Sequence, residues 1–317
     1  MNGGNGGTGQ LALHGFDLFG EPVKREYGGL MADRFLVPPF SVLNAREGWW
    51  QDRKRAWIGL GIQSEVGRID SNNGKSRQTS SVYLVKDSSG KTQSGGDLVN
   101  SGDVGNSASV FDPVLCELVY RWFSPVDGLV LDPFAGGSVR GITAGVLGRR
   151  YHGIDLSAIQ IAANETQKAA ICPAASVAWA CGDSAALLPL SPSADLVFSC
   201  PPYADLERYS DNPLDLSAMG YGAFLKAYRA IIAAACRRLK PDRFACFAVG
   251  EIRGPDGNYR GFVPATVAAF IDAGLTYYNE AILVTQVGSL PMRTGKQFAS
   301  GRKLGKTHQN ILVFAKG

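Results

Sequence analysis

The sequence predicts a doubly wound α/β fold with a mostly parallel sheet and an antiparallel hairpin formed by its last two strands. From residue 109 onward, short apolar runs alternate with amphipathic stretches of helical period, which is typical of parallel sheets. The last two apolar runs, 281–285 and 310–314, have no helical pattern between them. We therefore expect them to pair directly as an antiparallel hairpin at one edge of the sheet.

The other elements follow in chain order from the same two patterns. We expect helices over four amphipathic stretches, residues 113–123, 139–147, 221–239 and 264–273. We expect strands over five short apolar runs, residues 128–131, 151–154, 177–180, 194–199 and 244–249. Together they predict one α/β domain over residues 109–317.

Three segments precede this domain. Residues 1–34 are glycine-rich and predict a flexible arm, whereas residues 69–108 are rich in Ser, Gly and Asn and predict a long loop or a disordered insertion. Between them, residues 35–68 contain three tryptophans and the basic run Arg53-Lys54-Arg55. Either the aromatic rings pack on the main domain and the charges are solvated, or this segment contacts nucleic acid.

The composition excludes several classes of protein. With 45% hydrophobic and 19% charged residues, the chain is expected to be globular rather than disordered. No apolar run is long enough to span a bilayer and residues 1–10 lack a signal-peptide pattern, so we expect a cytoplasmic protein with no membrane partner. The six cysteines occur singly and there are only three histidines, which argues against a metal site. The net charge of +4 permits a polyanionic partner without requiring one.

A glycine turn follows the first strand of the domain and is a candidate ligand site. Ligands of open α/β sheets bind at the carboxyl ends of the strands, and glycines allow close approach of the backbone. The turn matches neither G-x-x-x-x-G-K-[ST] nor G-x-G-x-x-G, which argues against nucleotide hydrolysis and nicotinamide chemistry. Its residues are Asp132, Pro133, Phe134, Ala135, Gly136, Gly137 and Ser138.

Three acidic residues, Asp132, Asp155 and Asp183, end three successive predicted strands. Each one alone would more commonly cap the following helix than bind a ligand. Because the carboxyl ends of parallel strands share one edge, the three together could surround a small cationic ligand that carries an amine, a ribose and an adenine. Their neighbours in this candidate site are Leu156, Gly182 and Ser184.

The segment Cys200-Pro201-Pro202-Tyr203 follows the strand 194–199 and is the candidate catalytic loop. Its prolines fix φ and lack N–H donors, so a rigid backbone could aim the Pro201 carbonyl oxygen at an amine. Tyr203 could stack on a base. On its own, the segment could equally be a stiff loop with a packed tyrosine.

The stretches LDPFAGGS, GID, GDS and DLVFSCPPY resemble the amino-methyltransferases that methylate exocyclic amines of DNA bases. The resemblance covers residues 109–316, and residues 35–68 also resemble the N-terminal part of phage and prophage DNA methylases. It implies a Rossmann-like methyltransferase sheet, S-adenosylmethionine as the cofactor and DNA as the partner, in restriction–modification or in a phage-infected cell. It also implies that the target base is flipped into a pocket.

The resemblance implies specific roles for several residues of the candidate cofactor site. It places Asp132 near the methionine amine and Gly136 beside the cofactor. It places Asp155 at the ribose hydroxyls and Asp183 at the adenine amino group. Family members also bind the cofactor through a Phe-containing segment before the first strand, which the residues Phe111, Asp112 and Pro113 match.

Cys200 departs from the family pattern, which usually has Asp, Asn or Ser before the two prolines. A thiol is a weak donor and acceptor, so either the Pro201 carbonyl carries most of the amine recognition or Cys200 has another task. Adenine N6 methylation of DNA is the first interpretation and cytosine N4 methylation is the second. RNA amino-methylation, thiolate-dependent methylation of a cytosine ring and non-catalytic DNA binding are three further interpretations. Whether the chain forms a homodimer is left open.

The connection between the last two strands, residues 286–308, is the most basic long segment of the chain. It is either a solvated loop or a contact to the DNA backbone, because clustered cations gain affinity by counterion release. Residues 205–211 follow the catalytic loop and are expected to form one wall of the base pocket. The cations of the connection, which has no acidic residue, are Arg293, Lys296, Arg302, Lys303 and Lys306.

Overall fold

The computed structural model describes residues 35–63, 111–203, 209–288 and 290–317, and the backbone of two short strands. The predicted arm, residues 1–34, and all of the predicted insertion 69–108 except these two strands lie outside the described residues. The strands are β1 (Val42–Asn44), β2 (Val85–Lys86), β3 (Thr92–Gln93), β4 (Leu129–Asp132), β5 (Arg150–Asp155), β6 (Val177–Cys181), β7 (Ala194–Ser199), β8 (Leu239–Val249), β9 (Thr276–Val284) and β10 (His308–Lys316). The helices are α1 (Gly48–Gly59), α2 (Pro113–Phe123), α3 (Val139–Val146), α4 (Ala158–Ile171), α5 (Ser184–Leu187), α6 (Tyr221–Arg238), α7 (Phe262–Asp272) and α8 (Leu290–Gly301).

The main sheet has the strand order β1-β9-β10-β8-β7-β4-β5-β6. Strand β10 runs antiparallel to both of its neighbours, β8 and β9, and the other neighbouring pairs are parallel. The predicted doubly wound α/β fold, with a mostly parallel sheet and an antiparallel C-terminal hairpin, is confirmed.

The hairpin differs from the prediction in two respects. It does not form the edge of the sheet, because β1 pairs in parallel with β9 and places Val42 opposite Ile282. Its connection is also not a plain loop, because Leu290–Gly301 forms α8. The sequence gives little sign of this helix, since it contains a proline and two glycines and most of its described side chains are exposed, so that no apolar stripe marks it.

Alternate residues of the central strands face two hydrophobic cores, one on each side of the sheet. Val130 and Phe198 face the core that α1 to α4 cover, whereas Leu131 and Val197 face the core that α5 to α7 cover. Burial on both faces explains why these strands are continuous apolar runs rather than alternating ones. The apolar pattern of the sequence predicts neither α1 nor α4.

Helix α1 brings the aromatic and basic segment onto the main domain. Trp50 and Trp57 are fully buried in the first core. The Arg53 guanidinium pairs with the buried carboxylate of Glu117, which also accepts from the Trp57 indole at 2.8 Å. Burial alone would raise the pKa of Glu117, but Arg53 and the neighbouring Arg121 outweigh it and hold that pKa below its usual value.

Neither a membrane span nor a metal site occurs in the part of the chain that the structure describes. None of its helices is long and apolar enough to cross a membrane. No group of three or more His, Cys, Asp or Glu side chains among these residues is arranged to hold a metal ion.

Candidate active site

The candidate site lies at the carboxyl ends of β4 and β7, in the middle of the sheet. Strand β4 pairs with β5 on one side and with β7 on the other, so the chain order reverses here, and open α/β sheets bind ligands at such points. Gly136 follows β4 with a φ of +50°, which glycine adopts without strain. A Cβ atom on Gly136 would meet no atom of the described residues, so this turn borders open space.

Asp132 is the centre of a buried network at the base of the site. Its Oδ1 accepts from the Ser199 hydroxyl at 2.5 Å and from the Phe134 N–H at 3.1 Å. Its Oδ2 accepts from Arg140 Nε at 2.5 Å and from the Tyr151 hydroxyl at 2.7 Å. The Asp132 side chain is 0% exposed, so these four donors satisfy it without a ligand.

Arg140 ties Asp132 to the glycine turn. Its guanidinium donates to the carbonyl oxygens of Phe134 and Ala135 at 2.5 and 2.8 Å, and it lies over the Phe111 ring at 4.7 Å. Burial alone would lower the pKa of Arg140, but the charge of Asp132 reverses the effect and raises that pKa above its usual value. The ion pair therefore fixes the shape of the turn. The sequence pattern gives no hint of this arginine, which lies in the first turn of a largely apolar helix.

Asp155 and Asp183 lie at the ends of β5 and β6, on the same edge as Asp132. Asp155 accepts from the N–H groups of Gly136 and Ser157, each at 2.8 Å, which connects it to the glycine turn. Burial raises the pKa of Asp155 and outweighs the effect of these two N–H donors. Asp183 caps α5 through Oδ1, as the helix-cap interpretation predicts, and this bond leaves Oδ2 for a ligand.

The other residues predicted to bind the cofactor, Leu156, Gly182 and Ser184, lie around these two acids. The Gly182 N–H donates to the Asp155 carbonyl at 2.9 Å, and the Leu156 carbonyl lies 3.8 Å from Cys181 Sγ. The Ser184 hydroxyl donates to the Pro133 carbonyl at 2.6 Å, so the loops after β4 and β6 are joined. The three loops therefore form one connected edge.

Helix α4 holds the glycine turn from the other side. The Asn164 side chain donates to the Gly136 carbonyl at 2.8 Å, and the Ser138 hydroxyl donates to the Gln167 side chain at 2.9 Å. Both amides are buried. Sequence reasoning missed these residues, although the spacing of Gln160, Asn164 and Gln167 places three amides on one helix face and was a usable signal.

The segment at the start of α2 contacts two different regions of the molecule. The Phe111 ring packs edge-on against Phe198, below the site. Asp112 caps α2 through its bond to the Val114 N–H at 2.9 Å, and its other oxygen pairs with Lys54 at 3.1 Å. Pro113 is the first residue of α2 and is buried. Asp112 therefore serves the contact with α1, and only Phe111 of these three contacts Arg140.

The Cys200–Tyr203 loop, the candidate catalytic loop, leaves β7 directly beside the Asp132 network. Ser199 is fully buried and holds Asp132, Pro201 is buried, and Cys200, Pro202 and Tyr203 are partly exposed. Gln309 Nε2 donates to the Tyr203 hydroxyl at 3.2 Å. Burial and the neighbouring Cys200 raise the pKa of Tyr203. Of the expected pocket wall, residues 205–211, the first four lie outside the described residues.

Two residues beside Tyr203, Phe262 and Gln309, had no place in the site that the sequence predicts. The Phe262 ring packs edge-on against Tyr203, with ring centroids 6.0 Å apart. Glu251 accepts from the Phe262 N–H at 2.8 Å and so caps α7. Gln309 belongs to β10, more than 100 residues from Tyr203 in the chain. Such long-range partners leave no local signal in a single sequence.

The predicted DNA-contacting cations fall into two places. Lys296, Arg302 and Lys303 lie in or just after α8, and the Arg293 side chain is outside the described residues. Lys306 is half-buried instead. Its Nζ lies 3.5 Å from the position that a Cβ atom on Gly250 would take, in the same space as the Tyr203 ring. Burial lowers the pKa of Lys306, although the nearby Glu251 opposes this.

Known proteins resemble this chain in structure rather than in sequence. No family model matches the sequence, and no curated protein does. The structure is similar to TrmN from Thermus thermophilus, at 15% identity over 65% of this chain and 49% of that chain, with a TM-score of 0.45. It is also similar to a DNA modification methylase from Thermus thermophilus, at 20% identity over 43% of this chain and 50% of that chain, with a TM-score of 0.32. The aligned region thus covers about half of each of these two proteins.

A third similarity is to magnesium protoporphyrin IX methyltransferase from Synechocystis PCC 6803 with bound SAM. The identity is 11% over 61% of this chain and 71% of that chain, with a TM-score of 0.39. At these identities the likeness is confined to the α/β fold.

Proposed function

We propose that the chain is an S-adenosylmethionine-dependent methyltransferase that methylates the exocyclic amine of a flipped-out DNA base, with adenine N6 as the first candidate and cytosine N4 as the second. The observation that carries this proposal is the 2.5 Å hydrogen bond from Ser199 to Asp132. It joins the start of the Cys200–Tyr203 loop to the glycine turn, so a methyl donor held at the turn would lie beside a base held at the loop.

The residues at the strand ends fit such a cofactor. Gly136 borders open space, and Asp155 and Asp183 present carboxylate oxygens suited to ribose hydroxyls and to the adenine amino group. When bound, S-adenosylmethionine supplies an electrophilic methyl group on a sulfonium. Asp132 differs from the family expectation, because its four donors occupy it fully; we assign it to holding the site together rather than to contacting the methionine amine.

The catalytic loop positions the target base. Tyr203, braced by Phe262 and Gln309, offers a ring for stacking, which is worth about 1–3 kcal/mol per base. The rigid Pro201 carbonyl accepts from the target amine and turns its lone pair toward the methyl donor. We assign the Cys200 thiol, whose proximity contributes to the raised pKa of Tyr203, to bracing the loop rather than to nucleophilic attack on a pyrimidine ring.

Calorimetric titration with S-adenosylmethionine tests the cofactor half of the proposal. The wild type should bind, and Asp155→Ala should bind about 10- to 100-fold more weakly because hydrogen bonds to a charged group are lost. Asp272→Ala is the matched control, since this exposed carboxylate pairs with Arg229 on α6, away from the site. Absence of binding to the wild type would contradict the proposal.

A methyl-transfer assay tests the base half. Tyr203→Ala should lose most of the activity on DNA and retain cofactor binding, whereas Tyr278→Ala on β9 should retain both. Tyr278 is a matched control because its side chain is 57% exposed and because β9 lies four strands away from β4 in the sheet. Equal activities in the two variants would remove Tyr203 from the proposed mechanism.

A further inference from the structure

A groove of about 480 Å³ runs between the turn that follows β8 and helix α8. One wall carries Arg253 and Gly257, and the other carries Gln297, Ser300 and Lys303. The groove is lined by two cationic side chains, two neutral polar ones, one proline and three glycines. Its lining contains no acidic residue.

The two cations of the groove converge on a single residue, Gly257. Arg253 Nη1 donates to the Gly257 carbonyl at 2.9 Å. A Cβ atom on Gly257 would lie only 2.0 Å from Lys303 Nζ, so the ammonium rests against the bare Cα. The φ of +80° at this position is also one that glycine tolerates. Glycine here therefore allows the two walls to bring like charges together.

No carboxylate neutralises these charges within the described parts of the chain. Neither Arg253 nor Lys303 forms an ion pair there. Two acids flank Arg253 in the sequence, and both bond elsewhere. Glu251 accepts from the Phe262 N–H at 2.8 Å, and Asp256 accepts from the N–H and the side-chain amide of Asn258 at 3.0 and 2.9 Å. Two like charges held close together are stabilised by an anion between them.

An aromatic ring accompanies the cations. The Arg253 guanidinium lies over the Tyr259 ring at 4.1 Å, and Tyr259 is 51% exposed. Cations beside exposed aromatic rings are the combination with which proteins follow a nucleic-acid strand, the cations on phosphates and the rings on bases.

Both walls of the groove lead to the proposed base pocket. Arg253 follows Glu251 by two residues, and Glu251 caps the helix that begins at Phe262, the neighbour of Tyr203. Lys303 precedes Lys306 by three residues, and Lys306 lies against Gly250 and Tyr203. Three residues span at most about 10 Å, so a strand in the groove would pass close to the catalytic loop.

We propose that this groove binds the phosphodiester backbone of the strand that carries the target base, with Arg253 and Lys303 on a shared phosphate. The identity of that strand rests on the proposed function, but binding in the groove does not require methyl transfer. Fluorescence anisotropy with labelled single- and double-stranded oligonucleotides tests binding in the groove. Arg253→Glu should weaken binding about 10-fold or more at low salt and reduce the slope of log affinity against log salt by about 1.

Arg237→Glu is the matched control. Arg237 is an exposed arginine in the last turn of α6, at the end of the sheet opposite the groove, so its reversal should change affinity less than about 2-fold. Lys303→Glu is a second variant in the opposite wall and should behave as Arg253→Glu does. Circular dichroism and the Tm verify folding. Equal affinities for Arg253→Glu and Arg237→Glu would overturn the proposal.

Single methylphosphonate linkages, which lack the phosphate charge, locate the contact. One linkage beside the target base should weaken binding to the wild type and cause no further loss in Arg253→Glu; the same loss in both proteins would overturn the shared contact. Analysis of methylated nucleosides separates the two proposals. If a base is methylated and Arg253→Glu binds as the wild type does, the groove proposal fails and the methyltransferase proposal stands. If Arg253→Glu binds more weakly and no base is methylated, the groove proposal stands and the methyltransferase proposal fails.

Discussion

Two clusters of basic side chains in this molecule differ in whether carboxylates pair with them. In the N-terminal cluster, Arg53 pairs with Glu117, Lys54 with Asp112 and Arg55 with Asp52. In the C-terminal cluster, formed by Lys296, Arg302, Lys303 and Arg253, no ion pair to a carboxylate occurs among the described residues. The first cluster therefore stabilises the fold, and the second is available to an anionic partner.

The difference shows that the density of cations along a chain does not predict their availability. Glu117 lies 64 residues after Arg53, and Asp112 lies 58 residues after Lys54. Folding brings both carboxylates to α1, whereas nothing comparable reaches the described part of α8. Of the two interpretations of residues 35–68, the packing of Trp50 and Trp57 in the core fits the first.

Glu117→Gln is the change that should disturb the N-terminal cluster most. Removing the buried carboxylate leaves Arg53 and Arg121 without their partner and should cost about 3 kcal/mol in the free energy of unfolding, measured in urea. Glu165→Gln, at a half-exposed ion pair with Lys168, is the control and should cost less than about 0.5 kcal/mol. A loss no larger than the control's would show that the cluster does not stabilise the fold.

Acid should weaken the same cluster. The pKa of Glu117 is held below its usual value of 4.5, so the unfolded chain takes up the proton more readily. The contribution of Glu117 to stability is therefore present above about pH 4.5 and is lost as the pH falls through the pKa of the folded state. Urea unfolding at pH 7, 5, 4 and 3 should show a steeper loss in the wild type than in Glu117→Gln. Parallel curves would contradict this role.

Arg302→Gly tests the C-terminal cluster in the same way. Arg302 has a φ of +51°, which glycine tolerates better than arginine, so the change should leave the free energy of unfolding within about 0.5 kcal/mol or raise it slightly. Loss of one phosphate contact should lower the salt dependence of oligonucleotide binding by about 0.7–1 in slope. An unaltered slope would place Arg302 outside the nucleic-acid interface.

Lys54→Ala should have the smallest effect. Its ion pair with Asp112 is partly exposed, so its loss should cost about 0.5 kcal/mol in unfolding and leave oligonucleotide affinity and its salt dependence as in the wild type. A reduced salt dependence in this variant would show that the N-terminal cluster also contacts nucleic acid.

Periodicity predicted all the strands of the main sheet except β1 because both faces of the central strands are buried, as in Ala194–Ser199. It predicted four of the eight helices in the described residues, α2, α3, α6 and α7. It gave no sign of α8, whose described side chains are mostly exposed, nor of the edge strand β1, which is only three residues long. The strand-end acids were found because they end apolar runs. Arg140 and Gln309 were not, because their partners are distant in the chain or belong to the backbone.

Identification of the methylated nucleoside tests the central proposal most directly. The full chain would be incubated with methyl-labelled S-adenosylmethionine and unmodified DNA, which would then be digested and resolved by mass spectrometry. We predict label on N6-methyladenine, retained in measurable amount by Cys200→Ser and lost in Tyr203→Ala; N4-methylcytosine would keep the amine chemistry and change the base. Label on the cytosine ring, abolished by Cys200→Ser, or no labelled DNA nucleoside at all, would contradict it.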